Sequence, residues 1–412
     1  MHKCDTLKGR IVEGDTTMLN DILQSIGILL VYFLINPLLY IGLFAVYLFS
    51  GNRVKQERLS FHTRVYGRMA DITIPFLSAV LLGVCVSIVT IALGLTITLP
   101  FVAVLAIIYI IFALTTQLRW ISPTFVLGAV LLLYGFEPVL STVETLMPLY
   151  NILAQIPIFV PAAILAIMAL AEGFLIRMNG HVYTSPLLER SKRGKWVGIH
   201  IAKRLWMVPI ILFIPEGIIP AFSFWPVLTV ADIGLQPVLV PFLIGFQQRV
   251  RGTLPHIQIR TMGLRVIGLG IVFALLAAGS YFVPFLAVLL GGLAIVSREL
   301  LSYYAKKLDD KLPAFFSSQT KGCVVLGVLP GSPAEKMNIV VGETIVRING
   351  QEVFDQTSFY EALQINSAFA KVDVLNHEGE VRFAKGALYD GEHHQLGVLL
   401  VKDDADLQDS IV

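Results

Sequence analysis

The sequence has 412 residues, of which 56% are hydrophobic and only 15% charged, against roughly 25% charged in ordinary soluble domains. That composition excludes a simple soluble globule and marks a membrane protein. The formal net charge of +2 gives no reason to expect a nucleic acid, and Cys4, Cys85 and Cys323 lie too far apart for a disulfide framework or a metal-ligand spacing.

Residues 1–20 form a polar N-terminal segment without the apolar core and small-residue cleavage site of a signal peptide. The run Val12-Glu13-Gly14-Asp15 is compatible with a purine-rich, ribosome-binding-like stretch just ahead of Met18, so a start at Met18 is the expectation. Residues 21–297 then read as a multi-span transmembrane domain of about eight or nine helices, each needing about 20 apolar residues to cross the hydrocarbon core. The expected spans are 28–50, 72–97, 101–117, 122–141, 155–176, 205–224, 226–246, 264–280 and 281–297. Asn36-Pro37 interrupts the first, which leaves residues 19–35 as an alternative interfacial helix; the last two spans read either as a hairpin or as one long tilted helix.

Basic residues cluster in three loops. Arg53, Lys55, Arg58, Arg64 and Arg68 form one, Arg177 to Arg204 the second, and Arg249, Arg251, Arg260 and Arg265 the third. The turns near 98–100, 142–154, 225–236 and 280 carry no Lys or Arg. Because cytoplasmic loops retain positive charge, this asymmetry places the basic loops, and with them the C-terminal part, in the cytoplasm. A juxtamembrane connector, 298–320, carries Leu300, Leu301, Tyr304 and Leu308 at helical spacing. Its Lys306, Lys307 and Lys311 are placed to meet anionic lipid headgroups.

From residue 321 the period changes. "CVVLGV" and "ETIVRI" are short β-branched runs bounded by Gly, Pro and Asn. Between them Ser332-Pro333 provides an N-cap and a proline at the first helical position, and Asn338 a left-handed C-cap. Asn349-Gly350 marks a tight hairpin turn. Residues 357–369 read as a second helix, with Ser358 and Glu361 as a capping box and Phe359, Ala362, Leu363 and Asn366 on one stripe. Two strands around His377-Glu378-Gly379 and a last one at 395–400 follow. The run "PGSPAEKMNIVVGETIVRINGQEV" resembles a PDZ domain of the permuted bacterial kind, with Asn338 where that family usually has Gly. The fold class is therefore a polytopic α-helical membrane domain followed by a small α+β PDZ domain, residues 321–402, and an acidic tail, 403–412. The resemblance implies a peptide groove between the last strand and the second helix, with Gln395, Leu396, Gly397, Val398, Leu399, Phe359 and Leu363 as the peptide-binding residues. A bend at Gly397 and a core role for Leu396 and Val398 is the simpler alternative.

No catalytic motif accompanies the module. HExxH, the helix-borne zinc signature of a membrane metalloprotease, does not occur, and Ser280 lacks a Gly-x-Ser-Gly turn and a membrane histidine. We therefore expect no enzyme, no metal and no cofactor. Glu137, Glu172 and Glu216 fall in or near spans, and intramembrane carboxylates keep a transporter with a regulatory PDZ domain as an alternative.

The broken entry helix at Asn36-Pro37, the run "NRVKQERLSFHTRV" at 52–65, several spans and one terminal PDZ-like module together resemble the MinJ family of Gram-positive division-site determinants. That resemblance implies a non-enzymatic bridge between a DivIVA-like polar scaffold and a MinD-like ATPase, at poles and division septum. Finally, Ser410-Ile411-Val412 is similar to the C-terminal peptides that PDZ domains capture, though a solvated tail is the plainer reading.

Overall fold

The computed structural model describes residues 26–219, 234–317, 322–366, 368–388 and 396–401. Met18, Gln395 and Ser410-Ile411-Val412 lie outside the described residues, as does the side chain of Glu216.

Helix α1 (Ile26–Ile35) stops at Asn36. The Asn36 side chain accepts the Leu38 amide at 3.0 Å, and Pro37 opens α2 (Pro37–Phe61), so the expected break is a helix cap. Next come α3 (Ala70–Ala92), α4 (Leu99–Leu114), a 3-10 turn at Leu118–Trp120, and α5 (Pro123–Gly135). The short α6 (Glu137–Thr142) and α7 (Met147–Ala154) lead to α8 (Phe159–Asn179). Five described helices are long and apolar enough to cross a membrane: α2, α3, α8, and the later α9 (Pro255–Ser280) and α10 (Phe285–Lys311). The last two expected spans are thus a helical hairpin turning at 281–284.

Lipid supplies little hydrophobic drive between helices, so close approach through small residues holds them. A Cβ on Gly173 would lie 2.7 Å from the Ile267 amide nitrogen of α9, and one on Gly263 would lie 2.6 Å from the Arg177 amide nitrogen of α8. Gly128 of α5 meets Gly291 of α10 in the same way.

Within the described residues, the spans expected at 205–224 and 226–246 are strands, not helices. Strand β1 (Ser185–Arg190) pairs antiparallel with β2 (Trp196–Ile219), which pairs antiparallel with β3 (Leu235–Val250). Pro209, Pro215, Pro237 and Pro241 would each break a helix interior. In the hairpin Pro209 lies opposite Pro241, and Phe213 opposite Pro237. These positions share the parity of Ile211, Phe213, Leu243 and Gly245, whose backbone groups point away from the partner strand, so no proline removes a ladder bond.

An open sheet edge cannot face lipid, but irregular or extended backbone is tolerated when protein encloses it. Helix side chains and loops supply the outward partners. Ser87 Oγ accepts the Ile211 amide at 3.0 Å, and Thr90 Oγ1 donates to the Ile211 carbonyl at 2.7 Å. The Phe213 amide donates to Leu95 at 3.2 Å, the Ile97 amide to Phe213 at 2.8 Å, and the Gly245 amide to Ile121 at 2.5 Å. Tyr109 donates its hydroxyl to the Leu243 carbonyl at 3.0 Å. The hairpin is a core element around which α3, α4 and α5 are arranged.

Glu172 of α8 is fully buried and bound. Arg298 of α10, itself 2% exposed, reaches its Oε1 at 2.9 Å, while Ser122 and Thr124 donate to Oε2. Glu137, by contrast, is exposed at the start of α6.

The C-terminal β-domain begins with β4 (Phe316–Ser317), which pairs with β2 rather than with its own sheet. Strands β5 (Cys323–Val328), β6 (Thr344–Ile348), β7 (Gln351–Glu352), β8 (Phe369–Leu375), β9 (Val381–Ala387) and β10 (Val398–Leu400) form the second sheet, in the order β10-β5-β6-β8-β9 with β7 beside β6. Helix α11 (Pro333–Lys336) is capped by Ser332, Asn338 takes φ 55°, and Asn349 and Gly350 take φ 50° and 87° at the β6–β7 turn. Helix α12 (Gln356–Gln364) is shorter than expected and starts earlier. Asp355, not Ser358, is the N-cap: its carboxylate accepts the Ser358 amide at 2.7 Å while Ser358 Oγ accepts the Asp355 amide at 3.1 Å. Asn366 Oδ1 then accepts the amides of Ala368 and Phe369, which turns the chain out of helix and into β8.

Candidate functional site

Among the described residues strand β10 stands at the end of its sheet and pairs on one side only, through Val398 with Val328 and Leu399 with Gly327. Its approach is fixed from behind. The Leu329 amide donates to Gly397 at 2.8 Å and the Ala334 amide to Leu396 at 3.0 Å. Gly397 has φ +85°, and a Cβ there would come 2.1 Å from that of Ser332, so only glycine fits.

Beyond the free edge of β10 lies a cleft of about 200 Å³, lined by Val398, Leu399, Leu400, Leu329, and Gln356 and Tyr360 of α12. Of the residues the sequence singles out, Val398 and Leu399 line this cleft. Leu396, Phe359 and Leu363 belong to the buried core of the β-domain, and Gly397 forms the bend before β10. On α12 the groove-facing positions are Gln356 and Tyr360, one helical turn apart; the apolar stripe in the sequence marks the adjacent, core-facing side, against which Tyr360 also packs.

The cleft has a third wall that nothing in the sequence indicated. Phe61, His62 and Thr63, where α2 passes into α3, line it from the membrane domain. A second cleft of about 480 Å³ continues along this α2–α3 connection, bounded by Arg64, Val65, Tyr66, Gly67 and Tyr183, and shares Leu329 with the first.

A buried charge cluster sets the connection's path. Arg53 binds Glu57 at 2.6 Å and Asp71 at 2.9 Å, and Asp71 also meets Arg204 at 3.3 Å. Glu57 accepts the Val65 amide at 2.8 Å and the Ser185 hydroxyl at 2.7 Å, while Arg53 donates to the Gly67 carbonyl at 3.1 Å. Every charge has an opposite partner, and Arg53, Glu57 and Arg204 make further hydrogen bonds, the condition under which buried ions are tolerated.

The two domains are joined at the foot of the hairpin. Gly198 of β2 lies opposite Phe316 in the β2–β4 pairing. Leu254, Phe316, Val324 and Leu326 form an apolar cluster there, with Phe61 and Val401 against it. His200, 1% exposed, crosses the joint. Its Nε2–H donates to the Leu326 carbonyl at 2.9 Å, so Nδ1 is the acceptor for the Thr184 hydroxyl at 2.9 Å. Burial pushes its pKa down to about 4, and the hydrogen bond to the Leu326 carbonyl only partly opposes that.

Curated relatives align along nearly the whole chain. It is 34% identical over 385 residues to the cell division topological determinant MinJ of Bacillus subtilis, covering 93% of this chain and 96% of that protein. The chain belongs to the MinJ family. Probable MinJ proteins of Lacticaseibacillus paracasei and Lacticaseibacillus casei are each 24% identical to it over 382 residues, covering 90% of this chain and 98% of theirs. No family model matches the chain. A topological determinant of cell division is a placement role, not a catalytic one. MinJ membership together with five candidate spans makes this a membrane protein of the division-site machinery.

Proposed function

We propose that this protein is a non-enzymatic membrane adaptor whose C-terminal β-domain is a PDZ-type peptide-binding module. The observation that carries the reading is the unpaired edge of β10 facing α12 across a cleft. An extended peptide added there would complete the ladder by main-chain hydrogen bonds, with alternate side chains entering the cleft. The strand order, the two short helices and the Gly397 bend agree with the permuted PDZ pattern.

The positive-charge bias of the loops supports a cytoplasmic position for this module, and membership of the MinJ family supports poles and septum as its place of action. A DivIVA-like scaffold and a MinD-like ATPase are the partners that the family resemblance implies. Both would be met on one anchored surface, beside anionic headgroups. Joining weak contacts in this way raises avidity by roughly 10²–10⁴.

The test is complementation of a deletion strain by the full chain or by Val398→Asp, with septum position imaged in both. The wild type restores midcell septa; the variant, present in the membrane at equal level, leaves filaments and misplaced septa. Normal septa in the deletion strain, with loss of uptake of a solute, would instead support a transporter.

A further inference from the structure

The peptide cleft is not built by the β-domain alone. Phe61, His62 and Thr63 of the membrane domain line it opposite Leu329 and Tyr360. This wall is not a loose loop. His62 holds φ 56° with its amide bonded to the Arg58 carbonyl at 2.8 Å, and Val65, Tyr66 and Gly67 are bound to Glu57 and Arg53 of the buried charge cluster. Val401, which follows β10, joins Phe61 in one apolar cluster, so β10 and the connection are neighbours through packing as well as across the cleft.

We infer that the α2–α3 connection is part of the ligand site, and that the occupant is an extended segment of a partner protein read by both domains at once. This rests on the peptide-adaptor reading above. The free edge of β10 accepts extended backbone. Phe61, Leu329, Val398 and Leu400 offer an apolar seat for one ligand side chain. No carboxylate lines either cleft among the described residues, whereas exposed Arg64 borders the second and His62 the first. The matching ligand therefore carries an apolar anchor with an acidic side chain beside it. By linkage, a peptide held by both walls also favours the docked arrangement of the two domains, so partner binding and interdomain docking report on each other.

The test uses the full chain in lipid nanodiscs and a phage-displayed library of random decapeptides, with the best binder then synthesised and measured by fluorescence anisotropy. Thr63→Trp, which fills the cleft from the membrane side, weakens binding at least tenfold. Arg64→Asp, at an exposed position that leaves the fold intact, weakens acidic binders about fivefold and spares their Asn or Gln analogues. Val398→Asp on β10 abolishes binding. If Val398→Asp abolishes binding while Thr63→Trp and Arg64→Asp change nothing, the adaptor reading stands and the composite site is wrong. No binder selected on either the full chain or the chain lacking residues 403–412, or a binder indifferent to Val398→Asp, overturns both. Binding that appears only after residues 403–412 are removed makes the chain's own acidic tail the occupant and overturns the partner assignment.

Discussion

Replacing Glu172 by Gln removes a charge from the middle of the helix bundle and leaves Arg298, 2% exposed, without its counter-ion. Arg298 reaches Glu172 Oε1 through both Nε at 3.0 Å and Nη2 at 2.9 Å, and its remaining contact is Nη1 to Ser302 Oγ at 2.8 Å. Removing one partner of a buried pair costs about 3–5 kcal/mol, whereas replacing both with apolar groups of similar volume is often neutral. Glu172→Gln, Glu172→Met and Arg298→Met should therefore each lose roughly 3–5 kcal/mol. The double variant Glu172→Met with Arg298→Met should lose less than either single change, so the two single losses together exceed the double's by more than about 3 kcal/mol. Reversible unfolding in mixed micelles, followed by circular dichroism with the single variants and the pair, measures it. Losses under about 1 kcal/mol that simply add would refute the structural role. They would also return Glu172 to the intramembrane carboxylates open to ion-coupled chemistry.

The joint between the domains should respond to acid. His200 has a folded-state pKa of about 4 against 6.5 for an unperturbed histidine, so its contribution is complete above pH 6.5 and is lost as pH falls toward 4. At about 1.4 kcal/mol per unit the whole span is worth about 3 kcal/mol. Hydrogen exchange at the β2–β4 pairing, corrected for intrinsic rates, should accelerate between pH 7 and pH 5 in the wild type. In His200→Gln the acceleration should be absent. Gly245→Ala puts a Cβ 1.9 Å from the Leu118 carbonyl oxygen and should destabilise the hairpin by about 1–3 kcal/mol, read as a lower melting temperature. Asp71→Asn weakens the hold on both Arg53 and Arg204. It should loosen the α2–α3 connection, seen as faster exchange of the Val65 and Tyr66 amides with the β-domain sheet unchanged.

Much of this protein could be read from local chemistry. Helix α2 begins where Asn36-Pro37 says it should, and the turns at Ser332, Asn338 and Asn349-Gly350 follow from residues whose preferences act within a few positions. The hairpin is legible in principle, yet hydropathy alone reads it as two spans. Hydropathy counts apolar residues without asking their period, and a strand enclosed by protein on both faces is as apolar as a span. The signal was the shared parity of Pro209, Pro215, Pro237 and Pro241, which suits a ribbon with two outward edges and no helix. On α12 the apolar stripe points to the core, so the groove-facing Gln356 and Tyr360 are inconspicuous in sequence.

By itself the amino-acid order determined that the chain enters a membrane, where its first helices break and that a β-rich module follows. These rest on composition and on short-range caps and turns. Only the tertiary structure decided that Glu172 is neutralised by a residue 126 positions away. Only it brought Phe61 to Thr63 against a cleft whose other walls are hundreds of residues later. Contacts across such separations depend on how the hairpin, the helices and the β-domain pack together, and no local preference encodes them.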